Sequence, residues 1–140
     1  MSAEWIRISL RAWAPDSIVG DELAQILSLT PGDGFLSRPG DEPGQASVIE
    51  LVDEEREHHA DSDEPSESFA EAVRESLLRA AAWLESRPPG AFAECRRRGW
   101  KVDIFVGAWI DQDQLDLDLP AAFLLACGKA ELAISIITND

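Results

Sequence analysis

The stretch WKVDIFVGAWI, residues 100–110, decides how this chain folds. Its even positions, Trp100, Val102, Ile104, Val106, Ala108 and Ile110, form one apolar row, while the odd positions run Lys101, Asp103, Phe105, Gly107 and Trp109. A period of two is the mark of a β-strand with one side committed to a core. The other side is polar at its start and aromatic at its end, and the question of function concentrates there.

Working outward, residues Trp5 to Trp13 alternate in the same way, with Ile6, Ile8, Leu10 and Ala12 against Trp5, Arg7, Ser9, Arg11 and Trp13. Ala46 to Val52 reads as another strand, preceded by a short extended piece at Phe35 to Ser37. A last strand is expected over Glu131 to Thr138, with Leu132, Ile134 and Ile136 on one side and Ala133, Ser135 and Ile137 on the other. Between these strands the period changes. A helix starts at Gly20, with Asp21 and Glu22 where the positive end of the helix dipole favours them, and stops at Thr30-Pro31-Gly32. Phe69, Val73, Leu77, Ala80 and Leu84 recur at spacings of three and four, which predicts a long helix capped by Ser66 or Ser68 and running to about Ser86. Pro88, Pro89 and Gly90 separate it from a short helix, Ala91 to Arg98, and Pro120 opens another through Ala126 that Gly128 should end. In DQDQLDLDLP, residues 111–120, Leu115, Leu117 and Leu119 alternate with Asp116 and Asp118, the pattern of an extended edge whose carboxylates face water.

These elements predict an α+β fold: one domain over 1–140, with a mostly antiparallel sheet of four to six strands and helices packed on one face. Residues 53–66 carry a run of carboxylates with almost nothing to bury, so a mobile acidic loop is expected there.

The first strand, the helix GDELAQILSLTP (20–31), Gly40 and Asp41, and the run from Val102 to Thr138 with PAAFLL (120–125) before a closing strand resemble the bacterial domain-of-unknown-function family four-two-seven-nine. The resemblance covers most of the chain and implies a fold. It brings no catalytic residues with it.

Composition narrows the function classes. A net charge of −15 and a pI near 4.3 argue against nucleic acid and against an anionic membrane, both of which are held by clustered Lys and Arg. The N-terminal residues lack the basic-then-apolar pattern of a signal peptide, and no run of about 18 apolar residues occurs, so a cytoplasmic protein is expected. Cys95 and Cys127 read as small buried hydrophobes kept as thiols.

Catalytic constellations are weak. His58 and His59 lie among acids, but adjacent histidines diverge and no pair at helical spacing exists for a metal. Asp111, Asp113, Asp116 and Asp118 suggest a calcium loop, yet the sixth position would be Asp116 in place of Gly and the twelfth Ala122 in place of Glu. Cys95 beside Arg96, Arg97 and Arg98 has no nearby base in the sequence, and no Gly-rich phosphate loop opens a helix. Neither a catalytic set, nor a metal site, nor a cofactor is assigned.

Two surfaces remain as candidates. If the long strands share one sheet, Trp5, Arg7, Arg11, Trp13, Asp103, Phe105, Trp109 and Ser135 share its second face, joined by Ala133. Aromatic side chains with arginines are the composition of binding hot spots. The acidic loop offers Glu54, Glu55, Glu57, Asp61, Asp63 and Glu64 to a basic partner. The reading that follows is a non-enzymatic, acidic binding protein of the kind that neutralises a basic toxin, as an immunity protein does. The alternative is a small-ligand binding or accessory domain using the Trp- and Arg-rich face. A homodimer is compatible with both.

Overall fold

The computed structural model describes residues 2–30, 32–58, 66–109 and 117–138. The element order is β1 (Ser2–Trp13), α1 (Gly20–Ile26), β2 (Leu36–Arg38), β3 (Ser47–His58), α2 (Ser66–Glu85), α3 (Ala91–Arg97), β4 (Lys101–Trp109), α4 (Ala121–Lys129) and β5 (Ala133–Thr138). The strands form a single sheet in the order β2-β3-β1-β4-β5. All neighbouring pairs are antiparallel except β4 and β5, which are parallel because α4 returns the chain to the end where β4 began.

The alternation seen in the sequence sets the layers. Ile6, Ile8, Leu10 and Ala12 of β1 and Ile104, Val106 and Ala108 of β4 are buried under the helices, which contribute Leu23 from α1, Leu77 and Ala80 from α2, Phe92 and Cys95 from α3, and Phe123 and Cys127 from α4. The four helices and the sheet thus enclose one core on one side of the sheet, as an α+β fold requires.

β1 is the central strand, and its pairing corrects the expectation for residues 53–66. β3 continues to His58, with Asp53 opposite Arg7, Glu55 opposite Trp5 and Glu57 opposite Ala3, so Glu54, Glu55 and Glu57 belong to a strand and not to a loop. The strand persists through an acidic sequence because β1, starting at Ser2, supplies a partner for every residue from Asp53 to His58. Asp61, Asp63 and Glu64, with His59, lie outside the described residues.

A register shift between Ile8 and Ser9 inserts one extra residue, Leu51, into β3. Leu51 and Val52 are both buried although adjacent, and beyond the bulge the acids change sides. Glu54 consequently faces the helices and accepts a hydrogen bond of 2.9 Å from the Ser76 hydroxyl of α2. Asp53 and Glu55 sit on the other face of the sheet.

Two further expectations are revised near the C-terminus. α4 runs through Gly128 to Lys129, and the turn falls at Glu131, whose φ is +56°. Within 111–120, residues 111–116 lie outside the described residues; Leu117 and Leu119 pack against the core and are not in a strand.

Candidate functional site

The second face of the sheet carries no helix among the described residues. Register brings the side chains predicted from sequence together on it: Trp5 stands opposite Trp109, Arg11 opposite Asp103, Trp13 opposite Lys101, and Phe105 is flanked by Ser9 on one side and Ser135 on the other. Ala133 lies beside Asp103 and Ile137 beside Gly107.

Arg11 is the hub. Its Nε and Nη2 donate to the two carboxylate oxygens of Asp103 at 2.9 and 2.7 Å, a two-pronged contact that fixes the plane of the guanidinium. That plane lies 4.3 Å from the centre of the Phe105 ring and 5.2 Å from that of Trp13, so one cation serves two aromatic faces and one carboxylate. Arg7 repeats the arrangement more openly. It is 5.2 Å from the centre of the Trp5 ring, and its Nε donates to Asp53 Oδ1 at 3.2 Å.

Residues that the sequence did not single out complete the face. Arg38 on β2 donates to Glu50 on β3, extending the alternation of bases and acids to the far edge. Gly107 is buried beneath rings: a Cβ there would meet Phe105 Cε1 at 3.2 Å and Trp5 Cζ3 at 3.8 Å. A glycine inside a strand is a recognised sign of close approach, and this one lets two aromatic side chains lie flat over β4. Trp109, at the end of the strand, remains 40% exposed.

Aromatic rings, bases and carboxylates alternate across the face. Its arginines are held in ion pairs and against rings; Ser9 stands opposite Glu50, whose carboxylate Arg38 engages, and Ser135 lies beside Phe105. Among the described residues, no group of three or more His, Cys, Asp and Glu gathers to hold a metal ion. Cys95 and Cys127 are free and buried, and burial raises both thiol pKa values, so neither is an activated nucleophile.

A cleft of about 320 Å³ lies elsewhere, between the C-terminal end of α2, α3 and the end of α4. Its bases Arg87, Arg96 and Lys129 are already engaged. Arg87 donates to the carbonyls of Trp83 and Leu27, Arg96 to that of Ala130, and Lys129 to Glu85. Arg87 and Arg96 thus satisfy carbonyls at helix ends, and Lys129 pairs with a carboxylate. Comparison with protein-family models, curated proteins and solved structures returns no match, so the aromatic face is read from its own geometry.

Proposed function

We propose that this protein is a non-enzymatic binding module whose aromatic sheet face docks a basic protein, as an immunity protein docks the toxin it neutralises. The observation that carries this reading is a sheet face, bare of helices among the described residues, that presents Trp5, Trp13, Phe105 and Trp109 between arginines already neutralised by Asp53 and Asp103. Rigid aromatic anchors contribute most of the energy of protein interfaces, and pre-formed ion pairs keep their surroundings ordered before the partner arrives.

Size and charge support a protein partner over a small ligand. From Trp5 to Trp13 the face extends roughly 26 Å along β1, the scale of a protein footprint. The surplus of carboxylates, −15 over the chain, attracts cationic surfaces from a distance, and Asp53 and Glu55 flank the aromatic side chains on β3. Action in a reducing compartment such as the cytoplasm fits the two free thiols.

The test is calorimetric titration with the purified product of the adjacent gene, alongside a Trp109→Ala variant. The expected result is binding that Trp109→Ala weakens at least about tenfold while the circular dichroism spectrum and a cooperative melting transition are retained, since this ring is 40% exposed at the end of its strand. If that neighbour is no toxin and no basic protein co-purifies at low salt, the proposal is wrong. A metabolite that shifts tryptophan fluorescence and thermal stability would instead establish the small-ligand alternative.

A further inference from the structure

The two edges of the sheet differ in kind. β2 is three residues long and carries Arg38, a short charged edge of the type that resists strand addition. β5 is six residues long, Ala-Ile-Ser-Ile-Ile-Thr, with no charged side chain, and among the described residues no strand lies outside it. Half of its backbone N–H and C=O groups therefore point away from β4. On the helix side Ile136 is 51% exposed, and on the aromatic side Ile137 is 41% exposed, so among the described residues the strand is open above, below and along its edge.

We infer that β5 is a homodimer interface: two copies of the chain pair their β5 strands antiparallel and merge their sheets into one. The distribution of charge selects a second copy as the occupant. A chain of net charge −15 repels its own kind over most of its surface, and self-association is tolerated only where charge is absent or already paired. Over Ala133–Thr138 β5 carries no charge, and Glu131 ahead of it is paired with Arg96. The acidic half of β3 lies across β1 and β4 from β5, and in the joined sheet the two β3 strands would stand seven strand spacings apart, roughly 34 Å. That separation exceeds the screening length of about 8 Å at physiological salt.

The strand also matches itself. Residues facing each other across an antiparallel pair must point to the same side of the sheet, so a two-fold axis passes at a residue. With the axis at Ile136, that residue meets its own copy, Ser135 meets Ile137, and Ile134 meets Thr138, which places both exposed isoleucines in cross-strand contact and opposes no two charges. The aromatic faces of both copies then lie on the same side, giving one doubled docking surface. The inference stands independently of what that surface binds.

Analytical ultracentrifugation of the full chain over a concentration series tests it, together with four variants. The wild-type chain should sediment as a dimer at high micromolar concentration, and Ile136→Lys should be monomeric with an unchanged circular dichroism spectrum. Ile136→Cys should form a covalent dimer under oxidised glutathione, because opposing residues at the axis approach within disulfide reach, while Leu36→Cys on the other edge should not. The native thiols do not interfere, being buried. A wild-type chain that stays monomeric at every concentration overturns the inference, even if it captures an unrelated extended peptide. So does a dimer that survives Ile136→Lys or is cross-linked through Leu36→Cys or Leu125→Cys in preference to Ile136→Cys.

Discussion

Arg11 shows how much a single side chain on this sheet is asked to do. Its guanidinium satisfies both oxygens of Asp103 and at the same time lies against Phe105 and Trp13. A lysine retains the charge but offers a point donor on a flexible stem, without the planar fork or the flat surface for stacking. The pair is partly buried, at 28% and 16% side-chain exposure, so screening by water diminishes its contribution without abolishing it. Arg11→Lys is therefore expected to cost about 1–2 kcal/mol in urea denaturation. The same substitution in an Asp103→Ala background should cost markedly less, and equal costs in the two backgrounds would show that the residues are not coupled. That Arg11 and Asp103 lie on the same kind of face was legible from the parity of each strand alone. Their direct opposition was not, because register depends on how β1 and β4 align and neither sequence contains that information.

At the scale of elements, β1, β4, α2 and the end of β5 were readable because their apolar residues recur at the period of the structure they form. β3 was readable only to Val52. Beyond it the bulge at Leu51 breaks the alternation, and the acidic residues that follow are held by pairing with β1, a long-range interaction that local composition hides. α3 and α4 each bring one cysteine, Cys95 and Cys127, to the core. Burial disfavours the thiolate, pushing the Cys127 pKa from 9.0 up to about 11, and that of Cys95 moves in the same direction. Between those values the folded chain holds a proton that the unfolded chain has released, so stability is fully present below about pH 9 and falls as the pH rises toward 11. The loss attributable to Cys127 is on the order of 2 kcal/mol. Denaturation midpoints measured from pH 8 to 11 should fall less steeply for Cys127→Ala than for the wild-type chain, and a thiol reagent at pH 8 should label neither cysteine until the protein unfolds.

For the molecule as a whole, the decisive fact is that most of its few bases are already taken, seven of the twelve meeting a carboxylate among the described residues. Arg7, Arg11, Arg38, Arg96, Arg97, Arg98 and Lys129 each contact a carboxylate, and what is left over is a large surplus of acids: 27 Asp and Glu against 12 Lys and Arg. Salt screens the pairs, which weakens folding, and also screens repulsion among the surplus, which strengthens it. The exposed pairs contribute little individually, whereas the repulsion grows with the square of the net charge, so the second effect should win. The denaturation midpoint is expected to rise between low salt and physiological sodium chloride, with a gain of roughly 1 kcal/mol. Association with a basic partner must respond in the opposite sense, because there the surplus acids are the source of attraction: added salt should slow association and weaken the complex. Measuring both over the same salt series separates the two roles of the charge. A chain that gains stability while its complex loses affinity has carboxylates that oppose folding and favour binding, whereas a complex indifferent to salt would leave the aromatic face as the sole source of affinity and remove the acidic flank from the proposed function.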